Sequence, residues 1–291
     1  MADKHASRIA IFNETVEILR KGRYTSRSGQ MVELPGTEKV MAASKMYREP
    51  FRVLTGLPEP VQTQVRVENK DCVLAAMDLI DAGYNPAMLN LADLLTPGGL
   101  VEHGSGAQEE NLCRRSNLIL SLYQFSSKRV RQYPDLGLVS HPDQYPMDAR
   151  NGGIYSGVVT FFRGPEASDS PLEDKPYNIP VISVAAICYP RIGADGMMIY
   201  RDAETTLEKM RTIFSIGMDN QHDSLVLSAF GCGAFGNPPS QIARLFHQVI
   251  EEDEFKNKFK LIDFAILDGY RTGMRHNPEG NLKPFEKEFG Q

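Results

Sequence analysis

The stretch from Leu89 to Asn117, LNLADLLTPGGLVEHGSGAQEENLCRRSN, decides how the rest of the chain is read. The apolar run Ala87 to Ala92 predicts a short strand. It breaks at Thr96-Pro97-Gly98-Gly99, passes a second small-residue patch at Gly104-Ser105-Gly106, and Gln108-Glu109-Glu110 opens a helix. A strand, a glycine-rich loop and a helix start, in that order, predict an anion pocket. Bare backbone N–H groups would face the ligand, and the helix dipole would add to their field. Glu109 and Glu110 would repel a phosphate unless they act on something beside it. The pattern therefore points to chemistry on the sugar of a nucleotide, not on its phosphate.

The remaining composition bounds the answer. A chain of 291 residues with 42% hydrophobic and 24% charged residues reads as an ordinary soluble globular protein, one large domain or one domain with an appendage. The net charge of −5 argues against broad electrostatic binding to nucleic acid. No apolar run reaches the length of a membrane span, and the first residues, MADKHASR, lack the apolar core of a secretory signal. Cysteines 72, 113, 188 and 232 are scattered without a CxxC pair, which reads as reduced thiols in the cytoplasm. No histidine pair has metal-ligand spacing, so no zinc site is expected.

Working outward, Ile9, Phe12, Val16 and Leu19 predict an amphipathic helix over Ser7–Arg20. Tyr24 to Leu34 has a polar turn between apolar flanks and predicts a small hairpin. A second helical stretch is expected from Thr37 through Met46 to Pro50. Residues 1–60 thus read as a mainly helical N-terminal extension, closed by a linker at Gly56-Leu57-Pro58-Glu59-Pro60. After it, strands are expected at Val61–Val67, Ala87–Ala92, Val158–Phe162, Pro180–Ile187, Ser224–Phe230 and Lys260–Leu267. Helices are expected at Cys72–Ala82, Gln108–Phe125, Ala203–Met218 and Ser240–Ile250. Pro134–Gly153 reads as a long surface loop, and the tail from His276 as polar and loosely held. Alternating strands and helices predict a three-layer α/β/α sandwich with a central mixed sheet, whose ligands sit beyond the strand ends.

A second loop falls at such an end. Gly231-Cys232-Gly233-Ala234-Phe235-Gly236 spells GxGxxG after a strand and before a helix, the context of a dinucleotide-binding fingerprint. Against a Rossmann-type NAD-dependent oxidoreductase, the loop lies late in the chain, with one clear strand after it. Phe235 is also bulky for a loop under a pyrophosphate and suited to stacking on a ribose.

Taken together, PGG, a short spacer and QEE, then NLCRRS, resemble the signature loop of the microbial-type poly(ADP-ribose) glycohydrolases, whose motif reads GGG, a spacer and QEE on a macrodomain fold. Ser228 to Pro238, SAFGCGAFGNP, is similar to the second phosphate loop of macrodomains, and GRY near the start is similar to the family's helical extension. The resemblance covers nearly the whole chain and implies a macrodomain-like catalytic domain over 61–291. It implies a hydrolase that reverses ADP-ribosylation by cleaving the O-glycosidic bond at the distal ribose of ADP-ribose. Glu110 matches the catalytic acid and Glu109 the residue holding the ribose hydroxyls. Phe235 matches the aromatic that positions the distal ribose. Gly98, Gly99 and the backbone of Gly231, Cys232, Gly233, Ala234, Phe235 and Gly236 would bind the diphosphate, with Gln108 and Ser228 flanking them. Asn90 matches an asparagine near the ribose, and Asp71 an acidic residue that contacts adenine.

The chemistry agrees with the resemblance. Glycoside hydrolysis passes through an oxocarbenium-like state and needs a proton for the leaving oxygen. The helix dipole favours an ionised carboxylate at this helix start, while a bound pyrophosphate favours the protonated form, so substrate could load the proton that the reaction uses. Adjacent helical residues point about 100° apart, so the two carboxylates need not share one role. The implied partners are ADP-ribose or poly(ADP-ribose), with ADP-ribosylated protein or nucleic acid as carriers, acting on a monomer with no metal, no redox cofactor and no membrane. One alternative is a non-catalytic ADP-ribose-binding module, because Leu100 stands where the family has its third glycine. Glycine there can adopt positive φ and lets backbone approach the diphosphate. The bland readings make His103 a solvated loop residue, Cys232 a small filler, and Arg114 and Arg115 surface or helix-packing cations.

Overall fold

The structure is a computed structural model that describes residues 4–51, 53, 60–269 and 273–290. In chain order its elements are α1 (Lys4–Lys21), β1 (Arg23–Thr25), β2 (Met31–Glu33), α2 (Thr37–Ala42), β3 (Ser44–Tyr47), β4 (Gln64–Glu68), α3 (Cys72–Asp81), β5 (Pro86–Leu91), α4 (Gln108–Arg115), α5 (Leu118–Tyr123) and α6 (Ser127–Gln132). They continue with β6 (Gly153–Ser156), β7 (Thr160–Arg163), β8 (Leu172–Asn178), β9 (Val181–Val184), α7 (Tyr200–Asp219), β10 (Ser224–Leu227), α8 (Pro239–Ile250), β11 (Leu261–Ala265) and α9 (Leu282–Phe289). The strand order of the main sheet is β3-β6-β9-β5-β10-β11-β4, and β1-β2 and β7-β8 form two small sheets. The expected linker lies outside the described residues apart from Pro60. No helix among the described residues is long and apolar enough to cross a membrane.

Two compact units share the chain. The first comprises Met1–Met46, Ala92–Met147 and Ile154–Ser183. Its core is built from Phe12, Val16 and Leu19 of α1, the whole of α5, the whole of β7, and Val181, Ile182 and Ser183 of β9, all of them buried. β6 and β9 pair antiparallel, Ile154 opposite Ser183. The expected hairpin is present as β1 and β2, with Tyr24 opposite Val32.

The second unit comprises Tyr47–Leu91, Asp148–Gly153 and Val184–Gln291. Here β10 pairs parallel with both β5 and β11, and β11 parallel with β4. Crossing from β4 through α3 to β5 runs one way along this block, and crossing from β10 through α8 to β11 runs the other. Parallel crossovers are nearly always right-handed, so opposite directions place α3 and α8 on opposite faces. A central mixed sheet flanked by helices is the architecture the alternation of elements predicts.

Three local expectations are corrected. The helix expected through Met46 ends at Ala42, and Ser44–Tyr47 is a strand of the main sheet. The helix expected over Gln108–Phe125 is two helices. Ser116 is extended and bridges Phe161, and the Asn117 side chain accepts the Thr160 amide at 2.8 Å. The tail is not loose: α9 carries a fully buried Phe285 whose ring sits 5.1 Å from that of Phe264.

Candidate active site

The first unit carries the QEE loop. Asp93 turns the chain after β5 by accepting the amides of Leu95 and Thr96 on one carboxylate oxygen, each at 2.8 Å. Gly98 and Gly99 follow at positive φ, then a 3-10 turn at Val101–His103 leads to α4. Gly99 has no alternative residue. Its φ is +56°, and a Cβ there would fall 2.5 Å from Oε1 of Glu110 and 3.2 Å from Oε2 of Glu109.

Both carboxylates fold back onto this loop. Glu109, 2% exposed, accepts the amide of Asp93 at 2.8 Å on one oxygen and that of Gly98 at 3.2 Å on the other. Glu110, 6% exposed, accepts the Leu100 amide at 2.9 Å on Oε1, while its buried Oε2 has no partner among the described residues. The Gly99 amide goes to the Thr96 carbonyl at 3.0 Å. The expectation of bare amides in the first glycine loop is therefore corrected. The Gly98 and Leu100 N–H groups are spent on the carboxylates, which would otherwise be buried without donors, and that of Gly99 on the turn.

Further buried groups lie around the pair. Tyr123 and the Sγ of Cys113 back Gly98, within 3.5 Å of where a Cβ would lie. Burial first, and then the charge of Glu109, pushes Cys113 and Tyr145 well above their ordinary values, so both stay neutral. Arg114 and Arg115 are buried helix-packing cations, not surface ones. Arg114 donates to the Ser105 carbonyl at 2.7 Å and Arg115 to the Arg163 carbonyl at 3.3 Å. His103 is exposed, as a loop residue should be. Leu100 has φ −104°, so it needs no glycine-only conformation, and its side chain is 57% exposed rather than tucked under the loop.

The second unit carries the GxGxxG loop, after β10. Asn237 stitches it, donating to the carbonyls of Ile187 at 2.8 Å and Gly231 at 3.1 Å. The Tyr189 amide holds the Phe235 carbonyl at 2.9 Å. His276 Nε2 donates to the Cys232 carbonyl at 2.8 Å, joined by the Asn277 amide group at 3.4 Å. The amides of Gly233, Ala234 and Phe235 have no acceptor among the described residues, which leaves three successive N–H groups open. Phe235 is half-buried and not a core residue, and Ser228 is half-buried just past the end of β10. Burial pushes the Cys232 thiol well up, which suits a filler and not a nucleophile. α8 begins only at Pro239, beyond the last glycine, unlike a Rossmann helix that opens inside the motif. Asn90 is fully buried on β5. Asp71 caps α3, accepting the amides of Val73 at 3.0 Å and Leu74 at 3.2 Å.

The first unit thus presents a loop-held carboxylate pair at a helix start, equipment that glycoside chemistry uses, and the second presents three open amides past the end of a parallel strand. Residues 12–164, just over half the chain, match the catalytic-domain model of the microbial-type poly(ADP-ribose) glycohydrolases, and the chain belongs to that family. Two structures of the enzyme from Thermomonospora curvata are similar over 98% of this chain and 100% of theirs. One, bound to the inhibitor ADP-HPD, is 29% identical with a TM-score of 0.76, and the other is 27% identical with a TM-score of 0.75. The Deinococcus radiodurans enzyme in complex with ADP-ribose is 26% identical, with a TM-score of 0.64, over 89% of this chain and 99% of that one. No curated protein matches the sequence. The chain is an enzyme of the poly(ADP-ribose) glycohydrolase type. The oxidoreductase and the non-catalytic module give way to that reading.

Proposed function

We propose that this enzyme cleaves the O-glycosidic bond at the distal ribose of poly(ADP-ribose), with Glu110 as the general acid. One observation carries the assignment. Oε1 of Glu110 is anchored by the Leu100 amide, while Oε2 is buried and has no partner among the described residues, so one oxygen fixes the carboxyl and the other remains for substrate. The proton passes from Oε2 to the leaving oxygen as the bond to the anomeric carbon breaks. Water then adds to the oxocarbenium-like ribose and returns a proton. Glu109 has both oxygens engaged with backbone amides. This suits Glu109 to holding the sugar rather than donating a proton.

The amides of Gly233, Ala234 and Phe235 would take the diphosphate, and the half-buried Phe235 ring the face of the distal ribose. Gly98, Gly99, Gln108 and Ser228 would flank the ligand, with Asn90 beside the ribose and Asp71 toward adenine. The ADP-ribose held by the Deinococcus enzyme supports this choice of ligand. Glu110→Gln should lower turnover on poly(ADP-ribose) by about 10²-fold or more, while calorimetry finds ADP-ribose affinity little changed. Near-normal turnover would remove Glu110 from the acid's role.

A further inference from the structure

Within the first unit, α1 lies against the loop that leads into the two glutamates. Arg8 grips Glu166 with Nε 3.1 Å from both carboxylate oxygens and Nη2 2.8 Å from one of them. Glu166, in the short 3-10 turn Glu166–Ser168, also faces Arg114 at 3.5 Å. Arg114 in turn holds the Ser105 carbonyl at 2.7 Å, and its own carbonyl accepts from Thr15 Oγ1 at 2.6 Å. Arg163 completes the join, with Nε donating to Thr15 Oγ1 at 3.1 Å and Nη2 pairing with Glu14 at 2.7 Å. The loop fits against α1 only because it is bare: a Cβ on Gly106 would fall 2.4 Å from Nη1 of Arg8, and one on Gly104 2.5 Å from the His5 carbonyl.

This contact reaches the acid through a short path. Ser105 has its carbonyl held by Arg114 and its amide directed to the Leu100 carbonyl at 3.4 Å. The Leu100 amide in turn anchors Glu110. Burial works against the charge of Arg114 and the neighbouring Glu166 works for it, so removing Glu166 leaves a buried cation with less compensation. We propose that Arg8, Glu166 and Arg114 form a clamp between α1 and the loop, and act as positioning residues that set where Glu110 presents its free oxygen. The N-terminal helix is then part of the catalytic apparatus, not an appendage to it. The inference rests on the general-acid reading of Glu110.

The test uses the full chain, poly(ADP-ribose) as substrate and ADP-ribose as ligand. Arg8→Ala and the near-isosteric Glu166→Gln should lower kcat about 10-fold, since a displacement near 1 Å at a reacting centre costs on the order of 10²-fold. KM and calorimetric ADP-ribose affinity should hold. The double variant should fall no further than the weaker single, because both break one clamp. Arg8→Lys, which keeps the charge, should recover part of the rate. Thermal melts separate this from a structural role: a lower melting temperature with wild-type kcat per folded molecule overturns the clamp. Glu110→Gln measured alongside keeps the two readings apart. Full rate in Arg8→Ala with an inactive Glu110→Gln defeats the clamp alone, whereas an active Glu110→Gln defeats the general-acid reading beneath it.

Discussion

At the scale of single residues, Gly99 carries the tightest constraint in the loop. Its positive φ and its 2.5 Å clearance from Glu110 Oε1 leave no room for a methyl group. Gly99→Ala should push the Glu110 carboxyl aside and cost about 10²-fold in turnover, with the fold retained by circular dichroism. Leu100 behaves oppositely. The sequence makes it look like a defect, and a displaced ligand would follow if its backbone needed a glycine. At φ −104° it does not, and what matters to Glu110 is the Leu100 amide, which any residue but proline supplies. Leu100→Gly should therefore leave turnover unchanged or lower it slightly by loosening the loop. A several-fold gain would mean that the exposed leucine obstructs substrate.

At the scale of elements, the segment around α9 is the least expected. Asn277 and Asn281 are buried and bonded to each other at 2.7 Å, and Asp268 accepts the Asn281 amide at 3.0 Å. This places His276 against the Cys232 carbonyl. That carbonyl shares a peptide group with the Gly233 N–H, the first of the three open donors, so a hydrogen bond at one end polarises the other. His276→Ala should weaken ADP-ribose binding by about 1 kcal/mol, roughly fivefold, as read by calorimetry, while the melting temperature moves little. Phe285→Ala, which opens a hole beneath the same segment, should cost about 3–5 kcal/mol of stability in denaturant titration. Polar spacing hid this element: Phe285 and Phe289 are the only aromatics in the tail after His276. The break between α4 and α5 was hidden for a different reason. The apolar period of Leu112, Leu118, Ile119 and Leu122 runs straight through it, and only the pairing of Ser116 with Phe161 interrupts the helix.

At the scale of the whole molecule, the pH dependence of stability carries one clear signature. Lys209 of α7 is 2% exposed, and burial pushes its ammonium down to about 8, with Asp148 only partly opposing the shift. Between about 8 and the ordinary 10.5 the unfolded chain binds the proton that the folded chain has released, so stability rises with pH across that window. Below it the charge is buried in the folded state and its cost, on the order of 3 kcal/mol, is fully present. Lys209→Met should raise the melting temperature at neutral pH and flatten the rise above pH 8. Thermal melts on either side of that value decide it, and a less stable variant would mean that the lysine has stabilising partners.

The class of fold, the family and the position of the carboxylate pair are legible along the chain, because strand and helix periods, turn residues and QEE after glycines are all local signals. Local order along the chain is enough to place Glu109 and Glu110 at a helix start. What they hold there is a matter of tertiary structure. Glu109 and Glu110 bend back to take the amides of Asp93, Gly98 and Leu100, so the first glycine loop holds carboxylates, whereas the second leaves the amides of Gly233, Ala234 and Phe235 without an acceptor among the described residues. Nothing in either motif distinguishes these uses, since both loops are rich in the same small residues. Arg8 and Glu166 stand far from the motif in sequence, and the chain of bonds from Arg8 through Glu166 to Arg114 forms only in the folded protein. Buried polar groups must find partners wherever the fold brings them, and that pairing is a long-range property which no local pattern encodes.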